Sequence, residues 1–80
     1  MTRKLPLVID TPEKIKALRK SMNLRQGEFW GRIGVTQSGG SRYESGRNIP
    51  LSTLMLVQIV YGERHDSTAL IRYLREACVD

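Results

Sequence analysis

The stretch RQGEFWGRIGVTQSGGSRYESG, Arg25–Gly46, contains two short helical patterns separated by a turn. From Gln26 to Ile33, the side chains of Phe29, Trp30 and Ile33 fall on one stripe, and Gly34 closes the helix. Thr36 then caps a second helix, which Gly46 ends. Helix, about four residues of turn containing a glycine, helix is the outline of a helix-turn-helix. Inside the second helix stand two adjacent glycines, Gly39 and Gly40, each unfavourable by about 1 kcal/mol relative to alanine. Their presence calls for a compensating gain.

Working outward, Thr11, Pro12 and Glu13 read as a helix start: a cap, a first-turn proline and an acid at the positive end of the dipole. That helix puts Ile15, Leu18 and Met22 on one face and Lys14, Lys16 and Lys20 elsewhere, and Asn23 can take the left-handed conformation that ends it. Residues 1–10 read as an arm in which Leu5, Leu7 and Ile9 alternate with Pro6, Val8 and Asp10. The arm is either a frayed tail or a short strand pairing with another chain, and Pro6 confines any strand to a sheet edge. Downstream, Arg47–Pro50 is a loop, and Pro50 or Leu51 opens a helix through LSTLMLVQIVY. Apolar nearly all round, that helix is expected to be central or shared with another subunit. Gly62 to His65 break the chain, and Asp66 or Ser67 caps a last helix over about residues 67–78. The expected fold is all-α, five helices in a domain over residues 11–80, with the helix-turn-helix at about 26–45.

Eighty residues make one domain, and 13 Lys and Arg against 8 Asp and Glu give a net charge of +5. That balance favours a polyanionic partner, nucleic acid before an anionic membrane. Cys78 is the sole cysteine, so no intrachain disulfide forms and a reducing compartment fits. The start, MTRKLPLVID, has only a short apolar run interrupted by proline, so neither an export signal nor a membrane span is expected and the location is read as cytoplasmic. His65 is the only histidine, with no cysteine at metal-ligand spacing, and no phosphate-binding G-x-x-x-x-G-K loop occurs. Neither an enzyme nor a metal or other cofactor is expected.

On a helical wheel Gln37, Ser38, Ser41, Arg42 and Ser45 share the polar side of the helix after the turn, while Gly40 and Tyr43 face the core. Gln can pair with adenine, Arg with guanine, and Ser with either, so these residue types are suited to base edges in a major groove. A solvated face is the ordinary reading of a polar helix. Here the turn spacing, the net charge and the flanking Arg25, Arg47 and Asn48 favour double-stranded DNA.

The run LRKSMNLRQGEFWGRIGVTQSGGSRYESGRNIP, with its pieces LRK, NLRQ, GVTQS and SRYESGR-x-x-P in order, resembles the Cro and lambda-repressor-like (XRE-type) regulators. With the helix after Pro50, the resemblance covers roughly residues 12–61. It implies base reading by Gln37, Ser38, Ser41 and Arg42, and backbone contacts from Arg25, Gln26, Thr36, Ser45, Arg47 and Asn48. It also implies a partly buried pair, Arg19 with Glu44. Two departures address the glycines. The family has a small residue where Trp30 stands and isoleucine or valine where Gly40 stands, so the volumes are expected to be exchanged, with Gly40 the socket for Trp30. At Arg25 the family often has a capping Ser or Thr.

The resemblance further implies a homodimer placing two such helices in successive major grooves, about 34 Å apart, on an inverted repeat. Leu70, Ile71 and Leu74 of the last helix, the apolar fourth helix and the arm are the dimer candidates. The chain is similar to compact phage-type repressors, of which anti-CRISPR-associated autoregulators are one group. The alternative is an antitoxin that binds both its operator and a toxin.

Overall fold

The computed structural model describes residues 5–77, and among them there are five α-helices and no strand. They are α1 (Pro12–Ser21), α2 (Gln26–Gly31), α3 (Gln37–Glu44), α4 (Leu51–Tyr61) and α5 (Arg64–Ala77). Helix α3 packs on α1 and α2, and α5 packs on α4.

The helix ends follow from local chemistry. Thr11 Oγ1 accepts the Lys14 N–H at 3.2 Å, Pro12 opens α1, and Asn23 leaves it at φ 57°. Met22, expected on the inner face, instead caps the end of α1 and is 39% exposed. At the start of α2 no Arg25 side chain caps the helix; the Arg25 N–H donates to Glu28 Oε1 at 3.1 Å, which satisfies that end from within. Helix α2 stops at Gly31, short of Ile33, and the chain turns through Gly34 at φ 81°. Gly46, at φ 109°, ends the turn after α3.

The core consists of Ile15, Phe29, Trp30, Val57 and Tyr61, with Leu18, Ile33, Val35, Tyr43 and Leu54 packed against it. Phe29 stacks on Tyr61 at 4.1 Å and meets Trp30 edge-on at 5.3 Å. The Tyr61 hydroxyl donates to the Phe29 carbonyl oxygen at 2.5 Å, satisfying a carbonyl in the last turn of α2 and fastening α4 beneath it.

Trp30 fills the space that a side chain at Gly40 would occupy. Both residues are buried, and a Cβ built on Gly40 would overlap Cγ and Cδ1 of the indole and come to 2.7 Å of Nε1. Gly39 has a different reason. A Cβ there would press on Val35 Cγ1 at 3.2 Å and on Thr36 Oγ1 at 3.3 Å, crowding the turn and the cap that begin α3.

Three expectations are corrected. The arm is neither frayed nor strand-like over residues 5–10; it docks on its own chain through Gln58, which is completely buried. Gln58 Oε1 accepts from the N–H groups of Val8 (2.7 Å) and Ile9 (3.3 Å), and its Nε2 donates to the carbonyls of Pro6 (2.7 Å) and Asp66 (3.2 Å). Second, α5 begins at Arg64, because the Glu63 carbonyl already accepts the Ser67 N–H at 2.9 Å and Ser67 Oγ turns back to the Arg64 carbonyl. Third, Leu70 is fully buried within this chain and is a core residue, not a dimer surface; Leu74 is half-buried and Ile71 is 39% exposed. Cys78 lies outside the described residues.

Two outcomes follow from this packing. Gly40→Ile alone should destabilise the domain by overpacking, and adding Trp30→Ala should recover part of the loss; additive losses in urea unfolding would rule out the exchange. Gln58→Leu leaves the arm's polar groups without partners, a loss of about 1–3 kcal/mol. Hydrogen exchange should then speed up at Val8 and Ile9 before the helices respond.

Candidate nucleic-acid interface

Helix α3 is presented by its cap and held from behind. Thr36 Oγ1 accepts the Gly39 N–H at 3.1 Å, which fixes the entry of the helix just after the turn. Gln37, Ser38 and Arg42 are exposed and Ser41 half-buried, and together with Gln26 they line one surface cleft. Gln37 lies over the bare start of α2, where a carbon added at Gly27 would touch its Cβ and Oε1 at 3.9 Å. Arg42 also borders a second cleft, lined by Gly39, Tyr43, Arg47, Asn48 and Pro50. The side chains of α3 and of the loop after it are therefore contiguous. Arg25 and Thr36 are exposed at the starts of α2 and α3. Ser45 is exposed but its hydroxyl donates to the Ser41 carbonyl at 2.9 Å.

Behind this face, Glu44 gathers donors from two other helices. Its side chain is 2% exposed, and it accepts from Arg19 Nε and Nη2 (2.8 and 2.9 Å), from Trp30 Nε1 (2.8 Å) and from Gln26 Nε2 (3.3 Å). Arg19 spends Nη1 on the Leu24 carbonyl at 2.8 Å, tying in the link between α1 and α2. Burial alone pushes the Glu44 carboxyl up, but hydrogen bonds from Arg19, Trp30 and Gln26, with the Arg19 charge, outweigh it and hold the carboxyl below its usual range. The Arg19–Glu44 pair was legible in sequence; the Trp30 and Gln26 donors were not. An indole reads as bulk until its N–H has a target, and the resemblance gives Gln26 a phosphate contact and a buttressing role toward the base-reading glutamine, not a bond to Glu44.

His65 is exposed at the start of α5, with its ring nitrogens 3.6 Å from Glu63 and 3.2 Å from Asp66. Among the described residues no helix is long and apolar enough to cross a membrane.

A carboxyl held low in the folded state stabilises the fold above its unfolded pKa, and that stability is lost as pH falls through the lower folded value. Wild-type stability should therefore decline on acidification below about pH 4.5, and Glu44→Gln should flatten that decline. At neutral pH the same variant leaves the buried Arg19 charge without its counter-ion and should lose about 3–5 kcal/mol, read by urea unfolding.

Comparison with known proteins bears on the same segment. A family model described as an RsaL-like HTH domain matches residues 16–60, more than half of the chain, from Lys16 in α1 to Val60 in α4. No curated protein and no solved structure gives a significant match. The match contains all of α2 and α3 and the turn between them. With its two packed helices, its glycine turn and an exposed polar face on the second helix, this chain belongs to the RsaL-like helix-turn-helix family and is a DNA-binding domain.

Proposed function

We propose that this chain is a sequence-specific transcriptional regulator that binds an inverted-repeat operator as a homodimer and represses by occupying promoter DNA. The observation that carries this reading is the cleft on the outer side of α3, where Gln37, Ser38, Ser41 and Arg42 converge with Gln26. Those residue types match what base edges offer in a major groove. The Cro and lambda-repressor-like resemblance supplies the division of labour: base reading by these four α3 residues, with backbone contacts from Arg25, Gln26, Thr36, Ser45, Arg47 and Asn48. One helix of eight residues offers few base contacts, so useful specificity calls for two copies. Residues 11–80 form the binding domain in this reading, with residues 1–10 as its arm. No effector is invoked, and the concentration of dimer sets occupancy.

The test is fluorescence anisotropy on duplex DNA from immediately upstream of the chain's own gene, with a scrambled competitor, over a range of salt. Arg42→Ala should lose discrimination at one base position, by about 1–3 kcal/mol. Arg47→Ala should weaken binding to every sequence alike and flatten the salt dependence. Identical behaviour of the two variants would refute the division between base and backbone contacts. Wild-type binding no tighter to the upstream duplex than to the scrambled one would count against autoregulation.

A further inference from the structure

We propose that the outer face of α4 is the seam through which two copies of this chain pair, an assignment that rests on the homodimer reading above. Helix α4 buries Val57, Gln58 and Tyr61 on one side. On the other, Leu56 and Val60 lie one turn apart and are 43% and 47% exposed, with Met55 and Ile59 half-buried beside them. From Leu51 to Tyr61 there is no charged side chain, which is true of no other helix in the chain.

Charge selects the occupant. Each copy carries +5, so copies repel wherever their cationic surfaces meet. Helix α1 exposes Lys14, Lys16 and Lys20, and α5 exposes Arg64, Arg72 and Arg75. An acidic protein or an anionic lipid surface would be drawn to those faces; a second, like-charged copy is disfavoured on them. On α4 two like-charged copies meet without burying an ion. Of the remaining candidates, Leu70 is buried within the chain, Gln58 takes the arm's N–H groups at Val8 and Ile9, and the exposed Ile71 lies beside Arg72 and Arg75 on the cationic side of α5.

The face is also self-complementary. Across a twofold axis between Leu56 and Val60, the leucine of each copy faces the valine of the other, with rows four residues apart interlocking. Neither Leu56 nor Val60 lines the two clefts that hold the polar α3 residues, so pairing through them leaves those clefts open.

The experiment is sedimentation equilibrium of the full chain without DNA, over a wide concentration range. The wild-type mass should rise toward that of two chains. Leu56→Glu and Val60→Glu, both at exposed positions, should keep the helical circular dichroism and weaken self-association roughly tenfold or more. Leu56→Ala should weaken it less. Thr68→Glu, the same charge change on the solvent side of α5, should leave it unaltered. A dimer that persists in both α4 glutamate variants overturns the seam and leaves the homodimer reading standing. A wild-type chain that stays monomeric throughout overturns both.

Discussion

The Glu44 carboxylate sits in the last turn of α3 and takes its hydrogen bonds from α1 and α2, so the pose of the polar helix depends on one buried anion. Such a group is unfavourable unless its acceptor sites are met, and here two guanidinium N–H groups, an indole and an amide meet them. Among the described residues no buried side-chain nitrogen or oxygen lacks a partner. In a chain of this size the apolar core is small, and directional contacts of this kind do what bulk packing does in larger domains.

Trp30 takes part in both kinds of contact. Its ring fills the space that a side chain at position 40 would occupy, and its N–H ends on Glu44, one helical turn further along α3. Translation of α3 is limited by the ring and rotation by the bond. A phenylalanine in the same place would supply volume without the N–H. The glycine that looks like a defect in α3 is what lets the indole reach that carboxylate.

The helix-turn-helix was legible because its signals are local. A hydroxyl cap at Thr36, residues with positive φ at Asn23, Gly34 and Gly46, and apolar spacing all act within a few residues of where they are read. The fit of Gly40 to Trp30 was legible for a related reason: each departs, in opposite senses, from what the Cro and lambda-repressor-like resemblance leads one to expect. The features not legible in sequence are carried by polar groups acting across the chain. Gln58 sits in an apolar helix, and nothing near it in sequence signals that it binds backbone some fifty residues away. Asp66 and Ser67 look like caps, whereas α5 opens earlier, with the Glu63 carbonyl accepting the Ser67 N–H, a backbone bond that no side chain signals. Leu70 and Ile71 are adjacent and equally apolar, so only packing distinguishes the buried one from the exposed one.

The fit between Trp30 and Gly40 also couples the two positions. With the indole in place, any side chain added at position 40 meets its ring. With glycine kept and the indole cut back to alanine, the ring's volume becomes a void, a loss of about 3–5 kcal/mol by analogy with other large-to-small core changes. That is a large share of the total stability of a small domain, about 5–15 kcal/mol. Neither residue can therefore change alone without leaving either an overlap or a void. Removing the indole also takes a donor from Glu44, so the pair ties the volume beneath α3 to the polar contact that orients it.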